Sequence, residues 1–262
     1  MTERPAIATE RIPTGIIGLD EMLHGGFLPQ SANLVEGAPG CGKSTLGMHF
    51  IYHGALQGEP GMILTFEEFP QQYYRDAAAF GWDFRALERQ GLLRIVMSSP
   101  EVIKADLERV GGTLERQIAE MGTRRILVDS ISHFERVSDT PVTLRSHIYA
   151  FLNGLRREGL TSLLTRETPY LLGEEIAANS DADSSFIADS YLLLRYVEIE
   201  SAVRRALIVL KMRGSDHDHR IRQFDIGPQG LYVAQPFSGR EGLLSGTSRR
   251  MFESFIKAFV KR

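Results

Sequence analysis

The sequence predicts an α/β protein whose mainly parallel sheet carries helices on both faces and antiparallel strands at one edge. Three observations predict it. Short apolar runs alternate with amphipathic segments from Ser31 to Thr165, the rhythm of repeated strand–helix–strand units. A glycine-rich segment separates the first apolar run from the first helix-forming one. After Asp189 the rhythm changes, because Tyr191–Val197 and Arg205–Met212 are β-prone runs with no long helix between them.

The elements follow in order. Ser31–Glu36 reads as a strand and Lys43–Leu56 as the helix after it. Gly61–Phe66 is a second strand, with a helix after Pro70, and Arg94–Met97 is a third. Val102–Met121 carries apolar residues at helical spacing and reads as one long helix. Arg125–Asp129 is a strand, Leu144–Arg157 a helix and Thr161–Thr165 a strand. Tyr191–Val197 and Arg205–Met212 are expected to be antiparallel edge strands, continued by Arg222–Ile226 and Leu231–Val233. From Pro236 the chain turns Gly- and Ser-rich, then closes with a helical stretch, Ser248–Lys261. The expected division is a main domain over 1–247 and an amphipathic helix over 248–262.

The 262 residues are 43% hydrophobic and 24% charged, an ordinary globular balance. The net charge of −3 argues against a constitutive nucleic-acid binder. The start, MTERPAIATE, lacks the apolar core of a secretory signal. No run approaches the ~20 apolar residues of a spanning helix. A single cysteine, Cys41, excludes an internal disulfide and fits a reducing cytoplasm.

The segment Gly37-Ala38-Pro39-Gly40-Cys41-Gly42-Lys43-Ser44 fits the P-loop pattern G-x-x-x-x-G-K-[ST] at every fixed position. Small residues let backbone N–H groups turn inward around phosphate oxygens. The helix starting at Lys43 adds the positive end of its dipole. Lys43 is expected to reach the β- and γ-phosphates of ATP, and Ser44, followed by Thr45, to supply a magnesium ligand. Asp129, ending an apolar strand, is the expected second magnesium-holding group. Glu67 and Glu68 follow the second strand, where parallel-sheet sites lie, and can orient or deprotonate an attacking oxygen. The same pair also suits a solvated helix start.

With these elements placed, the chain resembles the KaiC family of RecA-like ATPases. Thr14-Gly15-Ile16-Ile17-Gly18-Leu19-Asp20, then Gly25-Gly26-Phe27-Leu28-Pro29, resembles the family's lead-in to the first strand. Thr65-Phe66-Glu67-Glu68 with Phe80-Gly81-Trp82 resembles the segment carrying its paired catalytic glutamates. Lys211-Met212-Arg213-Gly214-Ser215 with His217 is similar to its K-x-R-G-[ST]-x-H segment, and Arg195–Glu198 matches the strand before it. The likeness covers about residues 10 to 247, one domain rather than the tandem pair of clock proteins.

The resemblance implies a RecA-like fold, a homohexameric ring and slow hydrolysis of Mg-ATP at subunit interfaces. It implies that Glu67 and Glu68 activate the water, that Lys211 and Arg213 reach the neighbour's γ-phosphate, and that His217 lies near the neighbour's ribose. Gln30 stands where a glycine commonly follows the lead-in proline, and an altered turn is expected there. The phosphoacceptor pair of the autophosphorylating clock domain corresponds to Ser185-Phe186, with Ser184 adjoining. Ser185 can accept a phosphoryl group and Phe186 cannot, which excludes a two-site cycle at these positions.

Cys41 lies beside Lys43 and a helix N-terminus, features that lower a thiol's pKa, so a redox switch and a plain loop residue are both open. The closing helix would place Met251, Phe252, Phe255, Ile256, Phe259 and Val260 on one face, ringed by basic residues, a surface for the protein's own body, another subunit, a protein partner or a membrane. No His or Cys set has zinc spacing. Three functions compete: a regulatory or signalling ATPase with possible autokinase activity, a single-stranded DNA motor or recombinase, and a non-catalytic scaffold assembled by ATP. The slightly acidic charge places the DNA motor second.

Overall fold

The computed structural model describes residues 10–107, 112–168 and 187–237, together with 240, 241, 243, 249 and 250. Its strands are β1 (Ala32–Gly37), β2 (Gly61–Thr65), β3 (Leu93–Met97), β4 (Arg125–Asp129), β5 (Thr161–Glu167), β6 (Ser190–Ile199), β7 (Ala202–Met212), β8 (Arg222–Gly227) and β9 (Gly230–Pro236). They form one nine-stranded sheet in the order β3-β2-β4-β5-β1-β6-β7-β8-β9. Every pairing from β3 across to β6 is parallel, and β7, β8 and β9 add antiparallel. This is the RecA-like P-loop NTPase architecture. Tyr191–Val197 differs from expectation in one respect. Its strand, β6, runs parallel to β1 with Leu34 opposite Tyr191, and is antiparallel only toward β7. Apolar content marks a buried strand and leaves its direction open.

The helices are α1 (Leu19–Met22), α2 (Lys43–Leu56), α3 (Pro70–Ala79), α4 (Phe84–Arg89), α5 (Pro100–Leu107), α6 (Thr113–Met121) and α7 (Pro141–Arg157), with a 3-10 turn at Ile131–Val137. Strand side chains alternate between two cores because successive residues point to opposite faces. Val35, Ile63 and Leu127 join α2, α3 and α4 on one face. Their neighbours Leu34, Met62, Leu64, Ile126 and Val128 join α6, α7 and Phe134 on the other. Burial on both faces is why these strands read as continuous apolar runs.

The stretch expected as one helix over Val102–Met121 is two. The Asp106 carboxylate accepts from the Thr113 and Leu114 amides, at 2.6 and 2.7 Å, and so satisfies the first free donors of α6. Gly112, just before α6, has the non-helical φ of −57° and ψ of 170°. Helix α4 was not foreseen; it is started by Asp83, whose side chain accepts from the Ala86 amide. The helix expected over Leu144–Arg157 is α7, which begins earlier, at Pro141, behind Thr140.

The lead-in packs under the sheet. The Asp20 carboxylate gathers the Thr14 amide, the Thr14 hydroxyl and the Gly15 amide at 2.7, 2.7 and 3.0 Å. Gly18, at φ 81°, would carry a Cβ only 2.1 Å from the Val233 carbonyl oxygen, so this chain segment lies directly on β9. Gln30 adopts a φ of 56°, a left-handed conformation that favours glycine.

Arg249–Arg250 pairs antiparallel with Arg240–Glu241. The closing helix expected from Ser248 therefore does not include these two residues. The remainder of that stretch, and the 247/248 domain division, lie outside the described residues. Among the described residues, no helix is long and apolar enough to cross a membrane.

Candidate nucleotide-binding site

The parallel strands bring their carboxyl ends to one edge, and the expected phosphate-site residues collect there. The loop after β1 turns through Gly40 at φ 74° and Gly42 at φ 111°, conformations L side chains rarely adopt. A Cβ at Gly37 would lie 2.6 Å from both Cys41 Sγ and the Leu194 carbonyl oxygen. Lys43 opens α2, and its ammonium donates to the Gly37 and Ala38 carbonyls at 2.9 and 3.0 Å. The Glu167 carboxylate, at the end of β5, stands 3.9 Å away. Ser44 and Thr45 follow on the first turn, half-buried.

Cys41 is fully buried. Burial pushes its thiol pKa up, overriding the opposite pull of Lys43. That is the behaviour of a packed loop residue rather than a reactive thiolate.

Asp129 ends β4, opposite Thr65 of β2. Both of its oxygens receive hydroxyl donors: Tyr73 Oη reaches Oδ2 at 2.9 Å, and Thr165 Oγ1 reaches Oδ1. Burial, then the Asp129 charge, drives the Tyr73 hydroxyl far above its ordinary pKa, so it remains a donor. Glu67 and Glu68 follow β2 and differ from each other. Glu67 Oε2 lies 3.2 Å from His133 Nε2. Glu68 has its pKa raised, first by burial and then by the like charges of Asp129, Asp76 and Glu67. Ser44, Glu67, Glu68, Tyr73, Asp129 and Glu167 line one cavity.

Magnesium favours hard oxygen ligands and takes few of them from protein when phosphates and water supply the rest. The Ser44 hydroxyl and the fixed Asp129 carboxylate meet that requirement in the same cavity. Among the described residues there is no group of three or more metal-ligating side chains.

Lys211, Arg213 and His217 lie elsewhere. Lys211 stands opposite Tyr191, at the amino end of β6, while the P-loop leaves β1 beside Leu194. Three strand residues separate those levels, about 10 Å along the strand. Lys211 Nζ donates to the Ala188 carbonyl and the Arg213 amide to the Asp189 carbonyl, both at 2.8 Å and both before β6 begins. Burial, then the Arg213 charge, lowers the Lys211 pKa. His217 is buried, its ring 4.2 Å from that of His219, and burial pulls its pKa down. Lys211 and Arg213 thus lie toward the amino ends of the parallel strands, away from the P-loop. Ser184, Ser185 and Phe186 are outside the described residues.

Sequence reasoning missed Tyr73, Thr165, Glu167 and His133. Thr165 and Glu167 join the site because β5 lies between β4 and β1, and strand order is not written in local pattern. Tyr73 reads as an ordinary buried residue of an amphipathic helix. His133 follows a strand end without a spacing rule of its own.

Fold and site together define a RecA-like P-loop NTPase. The family model described as "ATPase: KaiC" matches residues 12–238. The chain is 40% identical over 247 residues to the circadian clock protein KaiC3 of Synechocystis sp., covering 94% of this chain and 48% of that protein. It is 37% identical over 242 residues to the circadian clock oscillator protein KaiC of Thermostichus vulcanus, covering 92% and 46%. With the corresponding protein of Rippkaea orientalis it shares 35% over 251 residues, covering 96% and 47%. The chain belongs to the KaiC family of ATPases. It spans about half the length of these curated relatives.

Proposed function

We propose that this chain hydrolyses ATP at a site completed between subunits of a homohexameric ring, in the cytoplasm, in a regulatory or signalling role. One observation carries the reading. The P-loop leaves the carboxyl-end edge of the sheet, whereas Lys211 and Arg213 lie toward its amino-end edge. A ring built head to tail apposes one edge to the other around every interface.

The chemistry assigns each group a task. Amides of Gly37–Ser44 cradle the phosphates, and Lys43 exchanges its own loop's carbonyls for the β- and γ-phosphate oxygens. Ser44 and Asp129 would hold magnesium, which when bound neutralises charge on those oxygens. Glu67 and Glu68 accept the proton of the attacking water as its oxygen bonds to the γ-phosphorus and the bond to the β-phosphate oxygen breaks, leaving ADP and phosphate. Lys211 and Arg213 of the adjacent subunit stabilise charge developing during transfer, and His217 lies toward its nucleotide.

Native mass measurement with and without Mg·ATP tests the assembly. A hexamer with nucleotide is expected, and a monomer under all conditions would remove the trans roles of Lys211 and Arg213. Replacing both Glu67 and Glu68 by Gln is expected to abolish turnover and preserve binding. Unchanged turnover would leave the ATP-assembled scaffold as the better reading.

A further inference from the structure

We infer that His133 is a positioning residue for hydrolysis: its imidazole Nε2 holds one oxygen of the Glu67 carboxylate so that the other faces the attacking water. The inference rests on the reading above, in which Glu67 and Glu68 activate that water.

The geometry separates a fixed partner from a free one. His133 sits on the 3-10 turn that leaves β4 just after Asp129, and it is only 9% exposed. Its ring meets the edge of Phe66 with centroids 6.1 Å apart, and Phe66 is the residue before Glu67. Phe66 packs in turn on Phe134 at 5.7 Å, and its amide donates to the Asp129 carbonyl at 3.2 Å. One residue earlier, Ser132 Oγ accepts from the Glu167 amide at 3.0 Å. The turn is therefore tied to β2, β4 and β5, and the buried imidazole rests against Phe66.

Glu67 is the opposite case, with 68% of its side chain exposed. An exposed glutamate loses rotamer freedom when ordered, and a catalytic carboxylate must be ordered. The imidazole, 3.2 Å from Oε2, selects one arrangement. With Nε2–H donating, Oε2 is occupied and Oε1 remains for water. A half-exposed pair of this kind contributes little to stability, so stability alone gives no reason for the contact. Its place does: both residues line the cavity that holds Ser44 and Asp129.

Steady-state hydrolysis of Mg·ATP by the full chain tests this with His133→Gln, His133→Asn and a double-mutant cycle against Glu67→Gln. Gln can place an amide N–H near the Nε2 position, and Asn falls short of it. His133→Asn is expected to lower kcat about tenfold with KM nearly unchanged, the signature of lost positioning. His133→Gln is expected to recover most of kcat, and His133→Asn to cost nothing further in the Glu67→Gln background. Equal losses in Asn and Gln, no loss in Asn, or an undiminished loss in the Glu67→Gln background would each overturn the inference. A second measurement avoids any folding failure at His133. The His133 ring nitrogen resonances are expected to shift in Glu67→Gln, an exposed substitution, and to remain in place if the contact does not exist. If Glu67→Gln alone leaves turnover intact, the underlying catalytic reading fails. If it abolishes turnover while His133→Asn leaves kcat at the parent value, only His133 is withdrawn.

Discussion

Tyr73, on the first turn of α3, donates its hydroxyl to Asp129 Oδ2 at 2.9 Å, while its ring is buried beneath the site. Together with Thr165 on Oδ1, it fixes the plane of the carboxylate expected to face magnesium. Tyr73→Phe removes that donor and keeps the ring. Outer-shell losses of this kind typically weaken metal affinity about 10–100-fold. Nucleotide binding titrated against magnesium should therefore require more metal, and binding without metal should be unaltered. An unchanged magnesium titration would mean that Tyr73 does not orient a metal-facing carboxylate.

Glu68 leads to a pH prediction. Its folded-state pKa is raised, first by burial and then by neighbouring carboxylates. A raised carboxylate contributes stability below its unfolded value, near 4.3, and that contribution is lost as pH rises through the folded value. At about pH 8 the charged form is a net burden on the native state. Glu68→Gln should melt higher than the parent chain at about pH 8, with the gap closing below about pH 4. Thermal melts across this range check the sign, and a lower melting temperature at alkaline pH would contradict it.

Gly18 tests why the lead-in has the residues it has. Its φ of 81° is left-handed, and a Cβ there would lie 2.1 Å from a backbone carbonyl that cannot rotate away. Left-handed strain alone costs on the order of 1–3 kcal/mol, and the clash adds to it. Gly18→Ala should lower the urea midpoint, while Gly58→Ala, which meets nothing within 4 Å despite a φ of 76°, should cost less. Equal costs would show that contact with β9 is not the constraint.

Much of this was legible in the sequence because the physics is local. Gly40 and Gly42 announce a loop of unusual φ, and the apolar runs ending at Thr65 and Asp129 announce buried parallel strands. The start of α6 had a local signal in Gly112, but the apolar spacing on either side of it reads as one helix. What stayed hidden depends on strand order. Thr165 joins Asp129 only because β5 lies next to β4, and β6 is parallel only because it sits beside β1. The Glu67–His133 contact likewise joins segments that follow two neighbouring strands.

The central claim is that each site takes its phosphate loop from one subunit and its distal cations from the next, and mixing two disabled chains tests it most directly. A Glu67→Gln/Glu68→Gln chain keeps Lys211 and Arg213, and an Arg213→Ala chain keeps the P-loop and both glutamates. In an equimolar random ring about one interface in four pairs the intact halves. The account predicts that the mixture hydrolyses ATP well above the sum of the separate chains, with a maximum near equal proportions. Activity that never exceeds that sum, in rings shown to contain both chains, would contradict it.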